Sequence, residues 1–222
     1  MTKKVFISRN SSDCEAIQAF LPSDVEVVAQ SLIETTAIPF DPNIPSCDWI
    51  FFSSSNAARH FFDQNPIISN QKIGAIGNAT AQTISNYRPV DFIGDSIDIT
   101  DSAYRFAEII GSANVLFPGA AESLRHIQSA LPAGQIIDLP VYTTTEKKTV
   151  IPVCDVYIFS SPSNVRSFFS NQNNTHPESM ICVAFGEATR ESLHKQGVSN
   201  VTIPATLEPR SIAHTIIQIL RG

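Results

Sequence analysis

Residues 47–62 read Cys47-Asp48-Trp49-Ile50-Phe51-Phe52-Ser53-Ser54-Ser55-Asn56-Ala57-Ala58-Arg59-His60-Phe61-Phe62. The phrase returns 107 residues later as Cys154-Asp155-Val156-Tyr157-Ile158-Phe159-Ser160-Ser161-Pro162-Ser163-Asn164-Val165-Arg166-Ser167-Phe168-Phe169, with eight of sixteen positions identical and no gap. A second pair follows, Ala75-Ile76-Gly77-Asn78-Ala79-Thr80 and Ala184-Phe185-Gly186-Glu187-Ala188-Thr189. Its offset is 109, a drift of two residues that a loop insertion accounts for. Self-similarity at a long, nearly fixed spacing marks a duplicated structural unit.

Each copy is an apolar run that ends in small polar residues and passes into a helical pattern. Trp49 to Phe52 is too short for a helix and rich in aromatics, so it reads as a buried strand. Ser53-Ser54-Ser55 supplies the turn and an N-cap, and Ala57, Ala58, Phe61 and Phe62 then share one helical face. A strand over residues 73–76, a turn at Gly77-Asn78 and a helix over about 79–86 come next. Ala103, Phe106, Ala107 and Ile110 mark another helix. A strand from Val115 leads through Pro118-Gly119 to an expected helix carrying Leu124, Ile127 and Leu131, then to a strand over about 135–142. Apolar strands alternating with helices imply parallel sheets covered on both faces.

The C-terminal unit stops after a helix carrying Ile212, Ala213, Ile216 and Leu220, so it lacks the last third of the pattern. That third lies at the other end of the chain. With an offset of 110, Val5 meets Val115, Gln18 meets Gln128, Leu21 meets Leu131, Pro22 meets Pro132 and Thr35 meets Thr145. The expected fold is therefore α/β, with two Rossmann-like or flavodoxin-like parallel-sheet domains joined by a two-segment linker. One domain is discontinuous, made of residues 1–35 plus 148–222. The other is inserted over residues 38–142, with linkers at about 35–40 and 142–150.

Composition narrows the function. The chain has 222 residues and 24.2 kDa, enough for one large or two small domains. With 43% hydrophobic and 16% charged residues it is not a disordered chain. A net charge of −6 and a pI near 5.3 argue against binding nucleic acid by general electrostatics. No apolar run is long enough to span a membrane, and the short run after Lys3-Lys4 does not read as a signal peptide. The chain is thus expected in the cytoplasm, with Cys14, Cys47, Cys154 and Cys182 reduced and serving as small apolar residues. Neither they nor His60, His126, His176, His194 and His214 show metal-ligand spacing, and no metal site is expected. The Asn-x-Ser/Thr triplets at Asn10, Asn78 and Asn173 carry no weight without export.

In open α/β sheets ligands bind beyond the carboxyl ends of the strands. The residues there are Arg9; Ser53, Ser54, Ser55 and Asn56; Gly77, Asn78 and Thr80; Pro118 and Gly119; Ser160, Ser161 and Ser163; Gly186 and Thr189. Hydroxyls, glycines and helix N-termini offer neutral donors to carboxylates or phosphates even in an acidic protein. Each serine alone reads as an ordinary N-cap. Recurrence of the same polar ends in both halves points to a ligand cleft between two lobes.

Phe52-Ser53-Ser54-Ser55-Asn56-Ala57, Ile76-Gly77-Asn78-Ala79-Thr80-Ala81, Leu116-Phe117-Pro118-Gly119, Val141-Tyr142-Thr143-Thr144, Phe159-Ser160-Ser161-Pro162-Ser163 and Gly186-Glu187-Ala188-Thr189 run in this order over nearly the whole chain. In them the sequence resembles the uroporphyrinogen-III synthase family. Ser53 and Ser160 stand where that family often has threonine, which keeps the hydroxyl; Glu187 adds a negative charge beside one turn.

The resemblance implies a cofactor-free cyclising hydro-lyase of tetrapyrrole (heme) biosynthesis. Hydroxymethylbilane, a linear tetrapyrrole with eight carboxylates, loses its terminal hydroxyl to give an azafulvene cation. The last ring attacks through its substituted carbon, and the spiro intermediate fragments and recloses with ring D inverted. The products are uroporphyrinogen III and water. The resemblance also implies Tyr142 as the donor to the departing hydroxyl, a monomer, and transient hand-over of substrate from hydroxymethylbilane synthase. The rival readings are a non-catalytic two-lobed binding protein for a small polyanionic ligand, and a nucleotide- or sugar-using transferase. The missing export signal weighs against the first, and the missing diphosphate loop against the second.

Overall fold

The computed structural model describes residues 2–171 and 176–221. The chain divides into two compact units, residues 1–34 with 145–222, and residues 35–144. The first unit opens with β1 (Lys3–Ile7), the single-turn α1 (Glu15–Gln18) and β2 (Val25–Ala29). Strand β3 (Ile33–Ala37) leads into the second unit. There follow β4 (Trp49–Phe52), α2 (Ser55–Phe62), β5 (Lys72–Ile76), α3 (Asn78–Ser85), β6 (Phe92–Gly94), α4 (Ile99–Ile110), β7 (Val115–Ala120) and β8 (Ile136–Glu146). The first unit resumes with β9 (Val156–Phe159), α5 (Pro162–Asn171), β10 (Ile181–Ala184), α6 (Glu187–Lys195), β11 (Asn200–Thr202) and α7 (Pro209–Arg221).

The first sheet has the order β11-β10-β9-β1-β2, and all its pairings are parallel. The second has the order β3-β8-β7-β4-β5-β6, with parallel pairing from β8 through β6. Period-two alternation sends successive strand residues to opposite faces. In β4, Ile50 and Phe52 pack with Phe61 of α2 and Ile84 of α3. Trp49 and Phe51 pack on the other face with Phe106 and Ile110 of α4. In β1, Val5 and Ile7 meet Ile17, Ile212 and Ile216, while Phe6 meets Val165, Phe168 and Leu193. Strands buried on both faces explain why these runs are almost wholly apolar.

Three expectations are corrected. Residues 124–131 form no α-helix: Leu124 is exposed while Ile127 and Leu131 are buried, and Arg125 sits at φ 56°, outside the helical region. Two short 3₁₀ turns, Gln128–Ala130 and Ala133–Gln135, carry the chain instead. Near the N-terminus, where the sequence suggests one helix carrying both Ile17 and Phe20, the α-helix is only Glu15–Gln18, after a 3₁₀ turn at Ser11–Asp13, and Phe20 is exposed. The segments read as linkers are partly strand, since β3 runs on to Ala37 and β8 to Glu146, and the two are neighbours in the second sheet. Ile38 donates to the Val141 carbonyl at 2.9 Å and Lys147 to the Leu32 carbonyl at 2.8 Å. The triplet at Asn173 lies outside the described residues.

Candidate active site

Every residue expected to bind ligand lies at or just beyond the carboxyl end of a parallel strand, apart from Tyr142 within β8. In the second unit, Ser54 is the N-cap of α2, accepting from the Ala57 N–H at 3.1 Å. Ser55 donates to the Ala79 carbonyl at 3.3 Å, and Asn56 accepts from Arg59 at 3.4 Å. Gly77 caps α3 at φ 75°, a conformation that favours glycine, and a Cβ there would come within 3.1 Å of Ser96. Asn78 is exposed at the helix start. Thr80, one turn in, is only 6% exposed.

Tyr142 lies just past an irregularity in the β7–β8 ladder. Gly119 pairs with Pro140 and Ala120 with Tyr142, so one extra residue in β8 re-aims the side chain. Its ring packs into the core against His60, with centroids 5.1 Å apart and planes 21° apart, and its hydroxyl lies 3.4 Å from Ser54 Oγ. His60 Nε2 is in turn 2.8 Å from Thr35 Oγ1. Burial pushes the Tyr142 phenol above its ordinary value, with the Ser54 hydrogen bond acting the other way. The side chain is therefore the neutral phenol at neutral pH.

Ser53, Pro118 and Gly119 come together around a cavity of about 130 Å³ that also takes in Arg125, Gln128 and Asp138. Arg125 pairs with Asp138 at 2.8 Å, and Gln128 donates to the other Asp138 oxygen at 3.2 Å.

In the first unit, Ser161 matches Ser54, accepting from the Asn164 N–H at 3.3 Å, and Ser163 matches Asn56, accepting from Arg166 at 3.4 Å. Ser160 is tied to β1: its N–H donates to Ser8 Oγ at 2.8 Å, and its hydroxyl to the Ser8 carbonyl at 2.9 Å. Arg9 lies over the Phe185 ring, 4.7 Å from the centroid, and forms no ion pair among the described residues. Burial pulls its guanidinium below its ordinary value, with Cys14 and Asp13 acting the other way. Gly186 is the N-cap of α6, and Thr189 is 4% exposed. Glu187 is neutralised within α6 by Arg190 at 2.6 Å, so its charge does not stand alone beside the turn.

Thr80 and Thr189 differ from Ser54, Ser55, Ser160, Ser161 and Ser163. Neither hydroxyl forms a side-chain hydrogen bond among the described residues, and no buried polar side-chain atom there is left without a partner. Both hydroxyls therefore keep an opening to solvent and are free to donate.

Sequence reasoning did not find Thr35, His60, Arg125, Gln128 or Asp138. His60 was legible only as a polar position in a repeated helix. Arg125 was hidden inside an apparent helical pattern that does not form.

Two α/β units, each presenting small polar loops at the carboxyl edge of a parallel sheet, define the class of protein. The chain matches a crystal structure of the Helicobacter pylori uroporphyrinogen-III synthetase with a TM-score of 0.66 and 15% identity, over 99% of this chain and 100% of that one. It matches a mutant uroporphyrinogen III synthase from the extremely thermophilic bacterium Thermus thermophilus with a TM-score of 0.60 and 13% identity, over 99% of both chains. At these identities the likeness is one of fold. No curated protein sequence matches significantly. The family model described as Uroporphyrinogen-III synthase HemD matches residues 16–213. The chain belongs to the uroporphyrinogen-III synthase family, and with it to the cyclising lyases of heme biosynthesis that close hydroxymethylbilane to uroporphyrinogen III and water.

Proposed function

We propose that the residues at the carboxyl edges of the two sheets carry this reaction. Donors at Ser53, Ser54, Ser55, Asn56, Asn78 and Thr80 in the second unit take substrate carboxylates. So do Arg9, Ser161, Ser163 and Thr189 in the first, while Ser160, whose N–H and hydroxyl both donate to Ser8, holds β9 against β1 beside them. The backbone at Gly77, Pro118, Gly119 and Gly186 shapes the approach. Holding the bilane in one folded shape supplies the largest part of the rate, because ring closure becomes an oriented intramolecular step.

Tyr142 donates its proton to the departing hydroxyl, which leaves as water with the C–O electron pair. The cation left behind is captured by the last ring, which takes on the positive charge, and after the spiro intermediate fragments and recloses that ring loses a proton, which balances the one Tyr142 gave. The observation that carries this reading is the buried Tyr142 phenol, held protonated between His60 and Ser54 at the carboxyl edge of the second sheet. The enzyme acts as a cytoplasmic monomer and receives its substrate in transient hand-over from hydroxymethylbilane synthase. No helix among the described residues is long and apolar enough to cross a membrane.

Incubation with hydroxymethylbilane, oxidation of the products and separation of the uroporphyrin isomers tests this function. The type III isomer is expected well above the buffer control. A product mixture identical to spontaneous closure, all type I, would overturn it.

A further inference from the structure

Each sheet has one point where the strand order reverses, and the crevice at its carboxyl side is where an α/β fold opens to ligands. In the second unit β5 and β6 extend from one side of β4, and β7 and β8 from the other, so the reversal lies between β4 and β7. The β4–β7 ladder holds at Trp49 with Val115 and at Ile50 with Leu116, and stops there. Beyond Leu116 the register between these two strands does not continue. Pro118 has no N–H to continue the ladder and no hydroxyl to bridge to Ser53. Into this gap the structure builds the cavity of about 130 Å³. That is below the roughly 300–1,000 Å³ of a site for a whole small ligand. It equals the liquid volume of about four waters, room for one short acidic arm.

The cavity wall carries one cation, Arg125, paired with one carboxylate, Asp138. Arg125 holds a left-handed backbone, φ 56°, that a bulky side chain adopts only when its surroundings hold it there. Its guanidinium reaches Asp138 at 2.8 Å, and both side chains are about half exposed, at 54% and 42%. An ion pair so exposed is cheap to exchange. A guanidinium takes a carboxylate with two parallel hydrogen bonds wherever geometry allows. Asp138 would not be stranded, because Gln128, 9% exposed, also donates to it at 3.2 Å.

We propose that this crevice is a receptor for one acetate or propionate arm of the substrate. Arg125 exchanges Asp138 for the incoming carboxylate while Gln128 retains Asp138. The proposal rests on the family's reaction for its ligand, and it assigns a specific arm-binding site that the repeated serine loops do not account for.

The test uses the whole chain. Arg125→Ala is expected to raise KM for hydroxymethylbilane about tenfold, in the range of a lost hydrogen bond to a charged group, with kcat within about twofold. Arg125→Lys keeps the charge but loses the fork, and recovers only part of the affinity. Arg105→Ala removes the same charge from the outer helix α4, where Arg105 meets Asp101, and is expected to leave KM unchanged. NMR titration with sodium propionate should shift the Arg125 side-chain N–H in the wild type, and this binding should disappear in Arg125→Ala. An unchanged KM in Arg125→Ala, an equal rise in Arg105→Ala, or no propionate shift would each overturn the proposal. Absence of any turnover in the wild type would instead count against the family reaction, and the propionate titration would then decide the crevice alone.

Discussion

In the first unit the reversal point between β1 and β9 is closed. Ser8 is buried, its oxygens receive the Ser160 N–H and hydroxyl, and its own N–H extends the ladder to the Ile158 carbonyl at 2.9 Å. In the second unit the position matching Ser8 is Pro118, and the same crevice stands open over Arg125. At the amino ends the two units are stapled alike. Asp48 accepts from the Asn114 N–H and Asp155 from the Lys4 N–H, each at 2.8 Å. The reverse bonds, Asp48 N–H to Asn114 and Asp155 N–H to Lys4, measure 3.0 and 2.8 Å. The duplicated scaffold is thus retained where strands only need to be held and has diverged where α/β sheets meet ligands. The serine-to-proline difference removes the N–H and hydroxyl that bridge the strands in the first unit.

The largest effect expected from breaking this contrast is in Ser8→Ala. It leaves the buried Ser160 N–H without its acceptor and should cost about 1–3 kcal/mol. Chemical denaturation should show the loss in the first unit, with KM for hydroxymethylbilane unchanged. A KM shift of the same size as in the crevice variants would show that both reversal points serve the substrate. Next comes the matched pair Thr80→Ala and Thr189→Ala. Each is expected to lower kcat/KM about threefold and the double variant about tenfold, because the two share no hydrogen-bond partner. Full activity in the double variant would reduce both to structural residues.

Pro118→Ser gives the second unit the closure of the first. By the pattern at Ser8, the new N–H can reach the Phe51 carbonyl and the hydroxyl the Ser53 N–H. KM should rise about fivefold, roughly 1 kcal/mol, while stability holds or improves. A lower KM would contradict the open-crevice account.

The smallest effect concerns the amino-end staple. The Lys4 N–H and the Lys3 ammonium hold the Asp155 carboxyl below its ordinary value. A lowered folded pKa means that its contribution is present above the unfolded value, near 4, and is lost as pH falls through the folded one. With Asp155 and Lys3 both over one-third exposed, that contribution is well under 1 kcal/mol. Asp155→Asn should therefore flatten the acid limb of the stability profile slightly and leave neutral activity intact.

The repeat made most of the fold legible. The 110-residue offset pairs Val5 with Val115, and the structure gives β1 the partner β9 just as β7 has β4. The α2 face, Ala57, Ala58, Phe61 and Phe62, is buried as its spacing requires. What the sequence hid was local and tertiary. Leu124, Ile127 and Leu131 carry helical spacing, yet burial selects only two of them and Arg125 leaves the helical region. The end of β3 and the last residues of β8 read as linker because Thr35, Thr144 and Thr145 have no apolar alternation to report pairing. Of the site, the strand-end loops were readable from the repeat. The stack of His60 on Tyr142 and the Arg125–Asp138–Gln128 group were not, since each depends on residues brought together by the sheet order.

The assignment of chemistry to Tyr142 is tested most directly by single-turnover cyclisation of hydroxymethylbilane by Tyr142→Phe, with the isomers separated. Phenylalanine keeps the ring against His60 and removes only the proton donor. General acids contribute typically about 10²–10⁴-fold, and a hydroxyl already activated by its pyrrole nitrogen needs less, so a loss of about 10- to 100-fold is expected. The melting temperature should stay near that of the wild type, and spontaneous closure should raise the type I fraction of the product. A wild-type rate with pure type III product would remove Tyr142 from the mechanism and leave ring closure to substrate folding alone.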